Sequence, residues 1–87
     1  STSNLTVYVL RSLSDPQRHY VGTTTRLKVR VEQHNRGENA STAADAPWQL
    51  RVALWFPDPQ TARDFERYLK TGSGRAFAKR HFSSRGL

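Results

Sequence analysis

The chain has no cysteine, so neither a disulfide framework nor a thiolate metal site is open to it. Its 87 residues suffice for one domain, 1–87. A domain of that size buries roughly 60–65% of the surface its unfolded chain exposes, and this small core must hold by packing alone. No apolar run approaches the ~20 residues that span a bilayer, and the opening STSNL is polar rather than signal-like. The expectation is a soluble chain with no membrane contact. There is no internal repeat and no low-complexity segment, which excludes repeat architectures.

Acids are scarce as well. Seven Asp and Glu stand against fourteen Lys and Arg, a formal charge of +7, and eleven of the fourteen cations are arginine. The stretch from Lys70 to Leu87 holds Lys70, Arg75, Lys79, Arg80 and Arg85 with no acid at all. Arginine presents a planar fork suited to phosphate oxygens, so this balance favours a nucleic-acid partner over a merely solubilising surface.

What is present reads as alternating short elements. LTVYVLR, residues 5–11, is β-branched and aromatic, with Leu5, Val7 and Val9 on one face and Thr6, Tyr8 and Leu10 on the other: a strand with something to bury on both sides. SLSDPQ is turn chemistry, and RHYVG, residues 18–22, is short enough to be the return strand of a hairpin. Thr23 to Thr25 offer hydroxyl caps to a helix that carries Leu27, Val31 and His34 on one face with Arg30 beside them, and that stops near Gly37. ENASTAADAP is aperiodic and reads as a loop.

WQLRVALWF, residues 48–56, sets Leu50, Val52, Leu54 and Phe56 against Gln49, Arg51, Ala53 and Trp55, which predicts a third strand. Asp58 then caps a helix with Pro59 at its first position. In that helix Ala62, Phe65 and Leu69 define the inward face, and Glu66 lies at the edge of that face. KTGSG breaks the helix, and RAFAKRHF, residues 75–82, is a short terminal helix with one basic side. The order strand, strand, helix, strand, helix, short helix packs most simply as an α+β fold, a small three-stranded antiparallel sheet covered by helices.

Several polar groups fall where the pattern forces them against apolar ones. Arg30 and His34 are one turn apart on the face shared by Leu27 and Val31. Tyr8 and Tyr20 sit in the two strands of the hairpin, which can bring their rings together. Glu66 comes from the second long helix. Two tyrosines, an arginine, a histidine and a glutamate form a workable set for cleaving a phosphodiester, yet each has a plain structural role too. A strand tyrosine is commonly core packing with a wet hydroxyl, a helix arginine commonly a surface ion pair, and a histidine near a helix end complements its carbonyls.

VYVL, then YVG twelve residues after its tyrosine, then RLKVRVEQHNRG, PWQLRV and FERYLKTGSGRAF form an ordered set that resembles the GIY-YIG nuclease family, in particular its small standalone bacterial members. The resemblance runs from about Val7 to Phe82. Thr6, Val7 and Tyr8 stand where the family has Gly-Ile-Tyr, and Tyr20, Val21 and Gly22 follow the second motif closely. It implies a DNA endonuclease that uses one Mg²⁺ or Mn²⁺ ion held by Glu66, the single metal-binding carboxylate. Tyr8 and Tyr20 match the motif tyrosines, Arg30 the catalytic arginine, and His34 the histidine one turn later.

Arg26, Lys28, Thr42, Lys70, Arg75, Lys79 and Arg80 are then the candidates for contact with DNA, branched or damaged forms included. The expected location is cytoplasmic, or nucleoid-associated in a bacterium. The base that activates water is left open among Tyr8, Tyr20 and His34, as is the oligomeric state. The alternative reading is a basic nucleic-acid-binding module of the same fold without turnover. A third is a protein-interaction domain whose basic face meets an acidic partner.

Overall fold

The computed structural model describes residues 5–15 and 17–82. Arg85 of the basic tail, Pro16 of the predicted turn and the polar opening residues lie outside them. The chain runs β1 (Leu5–Ser12), β2 (His19–Thr24), α1 (Leu27–Asn35), α2 (Ala40–Ala43), β3 (Trp48–Phe56), α3 (Pro59–Leu69) and α4 (Gly72–Phe82). The expected α+β order is present, with α2 as an extra single turn inside the segment expected to be a loop. No helix among the described residues is long and apolar enough to cross a membrane.

The strands form one antiparallel sheet in the order β2-β1-β3. The central place of β1 follows from its composition, because only a strand covered on both faces can bury four consecutive apolar or aromatic positions, Val7 to Leu10. Val7 and Val9 point to one side and pack with Ala62 and Leu69 of α3. Tyr8 and Leu10 point to the other, where they meet Trp48 and the Leu27 and Val31 side of α1. The sheet therefore separates a helical back layer, α3 and α4, from a front layer built on α1.

The register of β3 departs from simple alternation. Val52, Leu54 and Phe56 lie opposite Val9, Val7 and Leu5, as the pattern predicts, but a bulge makes Leu50 the partner of Leu10. The extra residue, Arg51, reverses the sense of every side chain before it. Leu50 thus leaves the back face it was expected to share and is 40% exposed, while Trp48 enters the front cluster.

Two further boundaries differ from expectation and two agree with it. Thr23 and Thr24 extend β2 instead of capping α1, which starts after Arg26 with no side-chain cap; the Thr24 hydroxyl accepts from the Arg26 amide at 3.0 Å. Gly37 does take the left-handed conformation after α1, at φ 75°. Asp58 caps α3 as predicted, accepting from the Thr61 amide at 3.0 Å and the Thr61 hydroxyl at 2.8 Å.

The KTGSG stretch is the second that differs. The break expected there is confined to two residues, and α4 takes in both glycines to reach eleven residues. Gly74 is present for close approach rather than for chain flexibility: it is buried, and a β-carbon on it would stand 1.7 Å from the carbonyl oxygen of Tyr68. The Thr71 hydroxyl bridges the same corner, donating to the Tyr68 carbonyl at 2.6 Å and accepting from the Gly74 amide at 3.0 Å. This tight crossing brings Phe77 into edge contact with Phe65 and Tyr68, with ring centroids 6.3 and 6.0 Å apart.

A Gly74→Ala change must push α4 off α3. The expected cost is about 2–4 kcal/mol, read as a lower urea midpoint at an unchanged slope.

Candidate active site

The alternation of β1 turns Tyr8 toward α1, and the hairpin register sets Gly22 directly across from it. A β-carbon at Gly22 would lie 2.7 Å from the Tyr8 hydroxyl oxygen and 2.9 Å from the Tyr20 ring. The missing side chain is the space the Tyr8 ring fills. Tyr20, two residues before Gly22, falls on the same face, its ring 6.1 Å from that of Tyr8 and 6.5 Å from that of Trp48. The hairpin thus does bring the two tyrosines together.

From the other side comes α1. His34 is fully buried, with its ring 4.7 Å from that of Tyr20. Its Nε2 lies 2.9 Å from the Tyr8 hydroxyl and its Nδ1 2.8 Å from the Thr42 hydroxyl. The Thr42 hydroxyl has one proton, which it donates to the Asn39 carbonyl at 3.3 Å. With that proton on the carbonyl the hydroxyl accepts from His34, an assignment in which Nδ1 carries the ring proton and Nε2 accepts from Tyr8. The result is one directed chain of hydrogen bonds: Tyr8 to His34 to Thr42 to the Asn39 carbonyl.

The electrostatics keep every member of that chain neutral. Burial pushes the Tyr8 phenol up to about 12, the adjacent Tyr20 adds to the rise, and the nearby Arg30 guanidinium opposes it only in part. Burial, and after it the Arg30 charge, hold His34 below its ordinary 6.5. Near neutral pH Tyr8 is thus a protonated donor and His34 a neutral acceptor.

Arg30 and Tyr20 are half-buried and border the cluster, and Arg30 also donates to the Gln33 side chain at 3.0 Å. Four of the five expected site residues are therefore assembled around one hydroxyl. Glu66 comes from the back-layer helix α3, with a side chain 23% exposed and an Oε2 that accepts from the Lys70 ammonium at 2.9 Å. No group of three or more His, Cys, Asp or Glu among the described residues is placed to share a metal ion. A lone accessible carboxylate suits a hard cation that keeps most of its water and takes substrate oxygens, and its exposed lysine partner is a weak one to displace.

Thr42, expected at a phosphate, is buried, and both its hydroxyl contacts face the interior, so its place is behind His34. Arg26, Lys28 and Arg80 are exposed, whereas Lys70, Arg75 and Lys79 line a groove on the back layer. Three positions were not singled out by sequence. Gly22 is needed as a gap, Trp48 donates its indole N–H to the Thr42 carbonyl at 2.9 Å, and the Asn35 amide oxygen accepts from the Trp48 amide. Gly22 lies within a quoted motif, but its steric reason needs the strand register.

A three-stranded antiparallel sheet with helices on both faces, and a buried Tyr–His pair beside an arginine, define a class of small basic α+β domains. Within that class, a family model described as the GIY-YIG catalytic domain matches residues 4–81, and the chain belongs to the GIY-YIG family. It is 39% identical to the structure-specific endonuclease subunit SLX1 homolog of Drosophila mojavensis, over 69% of this chain and 23% of that protein. It is 34% identical to the structure-specific endonuclease subunit SLX1 of Candida dubliniensis, over 90% of this chain and 28% of that protein. The chain thus spans about a quarter of the length of these curated relatives.

Replacing Thr42 by valine strands the His34 Nδ1 proton and the Asn39 carbonyl; the expected loss is about 1–3 kcal/mol in urea unfolding. The pH dependence has a definite sign. Because the folded value for His34 lies below the ordinary 6.5, the unfolded chain takes up its proton first. Stability is then flat above that value and declines as pH falls below it. His19, lowered in the same way, adds to the decline, so His34→Gln should remove part of the slope between neutral pH and pH ~5 but not all of it.

Proposed function

We propose that this chain is a divalent-cation-dependent endonuclease that hydrolyses DNA phosphodiesters, with a preference for DNA structure over sequence. The observation that carries the reading is the directed Tyr8–His34–Thr42 chain, closed off from solvent and set beside Arg30. The names of the two relatives, both structure-specific endonuclease subunits, support the preference.

In this mechanism the substrate phosphate meets the cluster at its half-exposed rim, Tyr20 and Arg30. Arg30 supplies a fixed positive charge where negative charge develops on the phosphate oxygens. Tyr8, with its phenol near 12, does not act as a standing phenolate. It takes a proton from the attacking water as its own proton passes to Nε2, so His34 is the final acceptor. Thr42, held by the Asn39 carbonyl, keeps Nδ1 protonated and so keeps Nε2 free. Glu66 would hold one Mg²⁺ or Mn²⁺; such an ion, when bound, neutralises the scissile phosphate and stabilises the leaving oxygen.

The second reading, a nucleic-acid-binding module without turnover, draws on two features: the Tyr8 hydroxyl is enclosed and the Glu66 carboxylate is already paired with Lys70. The two readings part in a cleavage assay at low salt with Mg²⁺ or Mn²⁺, on supercoiled plasmid and on a labelled branched DNA. The nuclease reading expects cation-dependent nicking, reduced on the order of 10²–10⁴-fold by Tyr8→Phe or Glu66→Gln. It also expects the rate to fall only on acidification below the ordinary histidine range, because burial and the Arg30 charge hold the proton uptake of His34 below it. Binding without cutting under either metal, in a protein that keeps its fold, would leave the binding module in its place.

A further inference from the structure

The back layer carries a second feature, on the sheet face opposite the Tyr8 cluster. A groove of about 840 Å³ runs between the β2 end of the sheet and helix α4. Its floor is apolar, with Val9 and Val21 from the sheet, Leu69 from α3 and Phe82 from α4. Its walls carry Arg11, Arg18, Arg51, Lys70, Arg75 and Lys79, six of the fourteen cations of the whole chain, and no carboxylate among the described residues lines it.

The cations are unequally engaged. Arg18 pairs with Asp15 and Asp45, and Lys70 with Glu66. Among the described residues no carboxylate pairs with Arg11, Arg51, Arg75 or Lys79. Arg51, the bulge residue of β3, goes further: its Nη1 donates to the Gln49 side chain at 2.9 Å, but its Nε is buried with no hydrogen-bond partner among the described residues. Buried donors are nearly always satisfied, so an orphan at the wall of a basic groove points to a ligand oxygen or a water.

Four cations without acid partners over a low-dielectric wall focus a positive field that draws in a polyanion. The floor then selects among polyanions. A duplex keeps its base faces stacked inside and offers only phosphates and groove edges, so it would use the walls and leave the floor empty. An unpaired strand uses both, its phosphates along the cations and its base faces on apolar and aromatic side chains. Phe82 supplies such a side chain, braced by Phe77 with ring centroids 5.5 Å apart.

Position links the groove to the candidate active site. Tyr20 borders both, and Lys70 lines the groove while its ammonium holds Glu66. We propose that this groove binds single-stranded DNA, the unpaired arm of a branched substrate, and leads it past the β2 edge toward the Tyr8 cluster. Its service to cleavage rests on the nuclease reading above; the binding itself does not.

The test is fluorescence anisotropy at low salt in EDTA, so that no cleavage or metal enters. The probes are a short labelled oligothymidine and a blunt duplex of the same length. The groove variant reverses two exposed wall residues, Arg75→Glu with Lys79→Glu. A control of equal charge change, Arg63→Glu with Arg67→Glu, reverses two exposed residues of α3 that do not line the groove. Arg51→Met, which keeps the stem and removes the cation, probes the orphan donor.

The groove variant should lose oligothymidine affinity by about tenfold or more and flatten its salt dependence by about 1.4 in log–log slope, with a smaller loss for duplex. The control should change either affinity by no more than about threefold, and Arg51→Met should fall between them. Far-UV circular dichroism must match across all variants. Equal losses in groove and control variants would reduce the effect to net charge and overturn the proposal. So would an equal loss for duplex, which makes the groove a plain phosphate track, or an acidic polypeptide that displaces the oligothymidine at far lower concentration, which assigns the groove to a protein. Glu66→Gln, which frees the Lys70 ammonium, should bind at least as well as the wild type, so a failure of the nuclease reading appears only in cleavage and a failure of the groove only here.

Discussion

A single hydrogen bond, from the Tyr8 hydroxyl to His34 Nε2 at 2.9 Å, ties the front layer of this protein together. Both partners are closed to solvent, and a buried polar group without a partner costs more than a hydrogen bond gains. Each must therefore find the other, and the surroundings are arranged to that end. Gly22 leaves room for the ring, α1 turns its His34 face to the sheet, and Thr42 takes the remaining ring proton. Trp48 donates to the Thr42 carbonyl, so even the bulge in β3 that brings Trp48 to this face serves the same contact. A buried polar network of this kind specifies one arrangement because a partly satisfied version is unfavourable.

The chemistry proposed for the site follows from that constraint. Burial alone makes a poor base of a tyrosine, and here it raises the phenol further. It also keeps His34 neutral, and the same low-dielectric enclosure thereby turns the pair into a donor and an acceptor of one proton. Arg30 at the rim acts on the two groups in opposite senses for that transfer: it eases the phenol toward ionisation, and it keeps the resting histidine neutral while making it a weaker acceptor of the second proton.

The back layer solves a different problem. Two helices must cross closely enough to cover Val7 and Val9 with few residues, and Gly74 and Thr71 make that crossing possible. The short connection leaves α4 lying beside the sheet's basic end instead of extending into solvent, and the groove is the space between them. Cations from β1, β3, α3 and α4, far apart in sequence, become one surface there.

The sequence by itself determined the element order, the central strand with two buried faces, the Asp58 cap and the turn at Gly37. These depend on local periodicity and on what one residue can do to its own backbone, both of which are written in short windows. Spacing put Tyr8 in the central strand, Tyr20 in the return strand and Arg30 with His34 on one helix face, and the ordered motifs, not spacing alone, singled them out as a set. Only the tertiary structure decided what they do to one another. Thr42 became the partner of His34, Gly74 a contact point inside a helix, Arg51 a bulge that sends Leu50 to the other face, and α4 a full-length helix through two glycines. Each of these depends on a contact between segments that are not neighbours in the chain. A hydroxyl, a glycine or an arginine carries the same local signal whether or not such a neighbour arrives.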